Sequence, residues 1–215
     1  MEKTSRDSIA HKIKKLTPDN IPNIQKLITE EYKNKFYEYT EKKPSKNRLE
    51  NLRRIYELAD GYIACQESVT VCRKGCAWCC QIPVDVLPIE IDYIEKHTIL
   101  KRSPKPKPFN PDPEKFYNVG YCPLLDQNTG CCSIYEYRPF NCRLFLVYDD
   151  PDLCRRQSLG EDVNSYNSGG AGNGYGSQAM VKLAMDLMAL ELKRAVQRED
   201  QTELDSRIKD IRTYF

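Results

Sequence analysis

Nine of the chain's ten cysteines fall between Cys72 and Cys154, and four of them crowd into positions 72–80. No other feature restricts the fold so strongly. Single free thiols are common in cores, because cysteine packs like a small hydrophobe. Nine in one segment need another reason. The N-terminus, MEKTSRDSIAHKIKK, carries no apolar secretion core, so a cytoplasmic setting is expected, where disulfides do not persist. Metal binding or redox chemistry is then the expected use of the thiols. Histidine is nearly absent, with only His11 and His97, so the ligands are expected to be thiolates. Thiolate-rich sites select zinc, Cu(I) or iron–sulfur clusters.

Composition points the same way. The hydrophobic set is 40% of 215 residues, but it includes the ten Cys and fourteen Tyr. Mean hydropathy is −0.66. Apolar burial is thin for this length, so metal binding is expected to add folding free energy. The 33 basic and 31 acidic residues nearly cancel, which argues against a nucleic-acid binder. No run approaches the roughly 18 apolar residues that cross a bilayer, so no membrane partner is expected.

The pattern predicts a mainly α protein with a few short strands, an α+β helical domain around a cysteine-rich metal-binding core. Residues 1–66 read as an N-terminal helical segment. Ile21, Ile24, Leu27, Ile28, Tyr32 and Phe36 predict one amphipathic helix over 20–40. Pro44 breaks it, and Ser45 is the expected cap of a second helix bearing Leu49, Leu52, Ile55, Tyr56, Ala59, Tyr62 and Ile63. Residues 67–160 form the cysteine region. Within it, 82–87 is β-prone, and Pro88 is suited to open a helix running to about Leu100. Residues 161–176 read as a glycine-rich flexible loop or lid, because no apolar strand precedes them as a dinucleotide site requires. Residues 177–215 predict a helix capped by Ser177 with a wide apolar stripe, then a charged tail ending in a short helix. The whole is expected to form one compact domain.

The cysteines fall into a tight cluster, Cys72-Arg-Lys-Gly-Cys76-Ala-Trp-Cys79-Cys80, and a spread one, Cys122, Cys131, Cys132, Cys142 and Cys154. A CxxC turn aims two sulfurs at one metal, and Gly75 permits the tight backbone beside it. Adjacent side chains diverge on a helix or a strand. Cys79 with Cys80, and Cys131 with Cys132, are therefore not expected to serve one mononuclear ion without a special turn. Two centres, or one centre plus structural thiols, fit that restriction. Asp126 reads as a turn-former.

Cys72-x3-Cys76-x2-Cys79-Cys80, then Cys122-Pro-Leu-Leu-Asp126, then Cys132-Ser-Ile-Tyr-Glu136-Tyr-Arg138-Pro139-Phe-Asn-Cys142-Arg, resembles the YkgJ-type cysteine-cluster family. That family is described as zinc- or iron-chelating and loosely as iron–sulfur proteins. The resemblance covers roughly 70–155. It implies metal ligands at Cys72, Cys76, Cys79, Cys80, Cys122, Cys132, Cys142 and Cys154, leaving Cys65 and Cys131 outside. Arg138 and Glu136 come with the motif and are expected to brace or tune the centre, either against sulfur or as a pair. Flagellin lysine-N-methylases carry a similar cluster.

Cys72–Cys79, with Trp78 in the aromatic slot, also resembles the cluster signature of radical S-adenosylmethionine enzymes. The chain after Cys80 lacks the strand–helix alternation of their partial barrel. Two readings stay open. One is a 4Fe–4S protein with a redox or protein-modifying role, favoured because eight cysteines divide into four-thiolate sets. The other is a zinc-stabilised module whose helices bind a protein or peptide partner. No catalytic residue emerges, since two scattered histidines build no acid–base constellation.

Overall fold

The computed structural model describes residues 24–68, 70, 72–73, 75–105, 109, 120–147, 171–172, 178–197 and 209–215. It is mostly helical with a few two-residue strands, as the sequence pattern predicts. The helix expected over 20–40 is two helices among these residues, α1 (Ile24–Leu27) and α2 (Glu30–Glu41). Thr29 splits them: its backbone is extended, and its hydroxyl accepts the Tyr32 N–H at 3.2 Å as an N-cap.

Helix α3 (Arg48–Ala64) starts later than Ser45 implies. Asn47 is the cap, accepting the N–H groups of Leu49 and Glu50. Ser45 instead receives the Asn47 N–H on its hydroxyl. A hydroxyl and an amide compete here, and the amide sits one residue before the helix. Helix α4 (Pro88–His97) opens on proline as expected, where the missing N–H costs nothing.

Two apolar cores meet at α4. The larger gathers Tyr32 of α2, Leu52, Ile55, Tyr56 and Ala59 of α3, and Ile89 and Tyr93 of α4. It is completed by Phe140 and Leu144 of α5 (Phe140–Leu144) and by Met180, Leu183, Leu187 and Leu190 of α6 (Gln178–Gln197). The smaller holds Val86, Ile91, Ile94, Leu124, Ile134, Ile211 and Tyr214, with Cys122 and Cys132 packed against it. Alternate faces of α4 thus serve different cores. On α6 the stripe is buried on one side, while Met185 is 65% exposed.

Two buried carboxylates fix the start of α4. Glu90 receives the Tyr56 hydroxyl at 2.9 Å and the Leu87 N–H at 2.8 Å. Glu191 of α6, 1% exposed, receives the Ile89 N–H at 2.8 Å and Arg48 at 2.9 Å. Burying such charges is costly unless they are bonded this fully. It also explains why Glu191 interrupts an apolar stripe.

Three antiparallel pairs carry the strands: β1 (Asp85–Val86) with β6 (Lys209–Asp210), β2 (Leu125–Asp126) with β3 (Cys131–Cys132), and β4 (Leu146–Val147) with β5 (Ala171–Gly172). Over its described residues, 209–215, the tail is a strand followed by a 3₁₀ turn at Ile211–Thr213 rather than the end of the expected short helix. Its partner lies far upstream, and local periodicity carries no trace of that pairing. In the glycine-rich segment only Ala171 and Gly172 are described, and they are paired. The rest of that loop, and the Ser177 cap, lie outside the described residues.

Candidate metal centre

Short local structures, each with a sequence cause, gather the cysteines. Gly75 takes φ +88°, the left-handed backbone that glycine tolerates, and turns the chain between Cys72 and Cys76. A 3₁₀ turn at Trp78–Gln81 follows, with the Cys80 N–H bonded to the Ala77 carbonyl at 3.0 Å. The Cys80 carbonyl then accepts the Cys122 N–H at 2.8 Å, which joins the tight cluster to the spread one.

From Cys122 the chain enters the β2–β3 hairpin. Asp126 shapes its loop, accepting the Asn128 N–H at 2.9 Å and the Thr129 hydroxyl at 2.8 Å. Gly130 closes the loop at φ +66°. Asp126 is thus a turn-former by geometry. Helix α5 brings Cys142, anchored by Glu90, which accepts the Phe140 N–H.

Six thiols, Cys76, Cys79, Cys80, Cys122, Cys132 and Cys142, line one cavity of about 350 Å³. Arg138, Asp85 and Asn141 line it too, and the rest of its wall is largely apolar, including Ile82, Val84, Leu124, Ile134 and Ile211. Cys79 and Cys80 both reach the cavity although they are adjacent. The 3₁₀ turn at Trp78–Gln81 supplies the special geometry that two neighbouring thiols need. Cys131 and Cys132 behave as alternation predicts. Cys132 lines the cavity, while Cys131 turns back to the Thr129 carbonyl at 3.7 Å.

Cys72 lies beside Cys79 but off the cavity wall, with its thiol directed at the Phe145 carbonyl at 3.8 Å. Cys65 sits at the end of α3 near the Thr29 hydroxyl. Cys154 lies outside the described residues.

The expected Glu136–Arg138 pair does not form among the described residues. The Arg138 guanidinium stacks on the Tyr135 ring at 3.7 Å and donates to the Tyr135 carbonyl at 2.9 Å. Glu136 is exposed, and its carbonyl is taken by Arg143. Only Arg138 of that pair faces the cavity. Sequence reasoning also missed Arg212, whose guanidinium donates to the Cys80 carbonyl at 2.8 Å and the Gly120 carbonyl at 2.9 Å. Nothing in the tail's local sequence announces it. Asn141, inside the FNCR run, was legible as part of the motif but had no assigned role.

The thiols do not titrate alike. Burial pushes Cys122 up to about 12. It also raises Cys132, and raises Cys142 well above the ordinary thiol range. Cys79 rises as well, because its thiol proton is held in a hydrogen bond with Cys80 and because it is buried. Cys80 moves down, favoured as thiolate by that bond and by the charges of Arg212 and Arg138. A cation entering the cavity would therefore displace protons from most of the donors.

As these side chains stand, no three of the described His, Cys, Asp or Glu residues are grouped closely enough to hold a metal ion. Their chemistry nonetheless suits a soft metal: six sulfurs, no imidazole and a dry wall. Side-chain rotation about the thiol-bearing Cα–Cβ bonds is what closure on a metal requires.

The fold thus gathers a cluster of cysteines around one cavity. Residues 71–161 match the model of the CxxCxxCC family, whose description is "putative zinc- or iron-chelating domain". No curated protein matches the chain. No solved structure matches it either. Among the described residues, no helix is long and apolar enough to cross a membrane.

Proposed function

We infer that the cavity houses a polynuclear metal–thiolate centre, iron–sulfur in kind, with a redox role in a cytoplasmic protein. One observation carries the reading: six cysteines from separate turns, a hairpin and a helix line a single cavity. A structural zinc ion takes four ligands, so six donors exceed one such site. The volume also lies within the roughly 300–1,000 Å³ of small-molecule sites rather than that of a bare ion. An iron–sulfur group, when bound, would supply one-electron chemistry.

The chain's own residues do the rest. Cys76, Cys79, Cys80, Cys122, Cys132 and Cys142 would hold the group. Arg138, on the wall, offsets part of the thiolate charge. Leu124, Ile134 and Ile211 keep water from the sulfurs, a lever on potential in such sites.

A second reading keeps the same ligands. Two zinc ions sharing six thiolates would make the domain a structural module that binds a protein partner. The absence of histidine from the cavity wall among the described residues favours it, because Asp85 and Tyr135 are then the acid–base side chains beside the sulfurs. Anaerobic purification followed by iron, zinc and acid-labile sulfide analysis separates the two. Iron with stoichiometric sulfide and visible absorbance supports the first reading. Colourless protein with two zinc ions per chain replaces it with the second. Protein that binds neither metal overturns both.

A further inference from the structure

Arg212 lies outside the family-matched segment, in the 3₁₀ turn that follows β6. Its side chain is 8% exposed. One terminal nitrogen donates to the carbonyls of Cys80 and Gly120. The other donates to the Ile82 carbonyl at 3.1 Å and to the Asp210 carboxylate at 3.1 Å. Asp210 is itself held by the Val84 N–H at 2.5 Å. One guanidinium therefore ties the turn that carries Cys79 and Cys80 to the segment entering Cys122.

Its third nitrogen, Nε, is buried and has no hydrogen-bond partner among the described residues. Buried donors are almost always satisfied, and an orphan costs free energy. The Asp210 carboxylate already pairs with this cation, so its bonds to the Cys80 and Gly120 carbonyls act as a geometric brace.

We propose that Arg212 is a positioning residue of the metal centre: it fixes the Cys80 and Cys122 segments at their ligating separation. The inference rests on the metal reading above. It follows that docking of 209–215 and metal occupancy strengthen each other, because a coupling between two binding events is reciprocal. The C-terminal segment then belongs to the site, although no cysteine lies in it.

The test compares full-length wild type with Arg212→Lys, Arg212→Gln and Tyr214→Ala, each purified anaerobically with its metal. Tyr214 packs in the smaller core and controls for loosening of the same segment. The readouts are the rate of metal loss to excess chelator and the sulfur-to-metal absorption band. Arg212→Lys keeps the charge and loses the planar fork. Both Arg212 variants should lose metal at least tenfold faster than wild type, with a shifted band. Tyr214→Ala should lower the melting temperature yet stay within threefold of the wild-type rate. If Arg212→Gln fails to fold, Arg212→Lys decides. Arg212→Lys as slow as wild type, or no faster to lose metal than Tyr214→Ala, overturns the inference while the metal reading stands. Wild-type protein without metal overturns both.

Discussion

The Glu90 carboxylate and the Phe140 backbone N–H, fifty positions apart, are joined by a buried hydrogen bond of 2.7 Å. The same carboxylate holds Tyr56 of α3 and the Leu87 N–H at the head of α4. It thus ties the helix that presents Cys142 to the larger core. Glu90→Gln sets an amide N–H₂ against at least one of three donors. The loss should be about 1–3 kcal/mol in urea unfolding, the cost of an unsatisfied buried group. Metal content should fall with it, since α5 loses its anchor.

Burial raises the Glu90 carboxyl above its ordinary 4.5, against the pull of its hydrogen-bond donors. Between 4.5 and the raised value, the folded state holds the proton and the unfolded state does not. This contribution to stability is therefore complete below 4.5 and fades as pH climbs through the folded value. Subtracting the pH–stability curve of Glu90→Gln from that of wild type should isolate a falling limb there. A rising limb would show that the carboxylate form is the favoured one.

At the other end of the scale the thiols dominate. Burial lifts Cys122 from 9.0 to about 12. Metal-free protein should lose stability as pH rises from about 9 toward 12, because the unfolded chain releases those protons first. Metal-loaded protein should resist this loss, since its thiols are already deprotonated. Metal affinity should rise with pH through the same window, with proton release visible in unbuffered titration. An affinity flat in pH would mean the thiols are ionised before metal arrives.

Serine scanning reads the ligand set directly. Cys122→Ser, Cys132→Ser or Cys142→Ser should strip metal or leave the protein insoluble, because a hydroxyl serves a soft site poorly. Cys131→Ser and Cys65→Ser should keep a full complement of metal per chain. Cys72→Ser decides whether the thiol beside Cys79 joins the six on the wall. A reversed result at 131 and 132 would place the hairpin out of register.

Chelation should lower the melting temperature and speed amide exchange over 75–145 more than in α2 and α3. The larger core packs Leu52, Ile55 and Ile89 to complete burial without any metal. Apart from α4, the cysteine region has only short elements to fall back on. Equal loosening of both regions would separate metal binding from local order.

The helices were legible wherever apolar residues recur at helical spacing, as in α3 and α6, and Pro88 gave the start of α4. The alternation of Cys131 and Cys132 was legible too, because a strand has one rule for neighbours. Cys79 and Cys80 were not, since a 3₁₀ turn obeys neither the helical nor the strand rule. Thr29 and Asn47 compete with equally plausible caps, and only packing chooses between them. Arg212 was invisible because its partners are backbone carbonyls, which every residue owns.

Because α4 faces two cores, the family-matched segment does not own its hydrophobic surroundings. Cut out at 71–161, it would leave Ile89 and Tyr93 without α3 and α6, and Val86, Ile91 and Ile94 without Ile211 and Tyr214. The segment is not a portable cassette. Grafted alone onto another protein, it should carry the cysteine signature in sequence and fail to carry the metal.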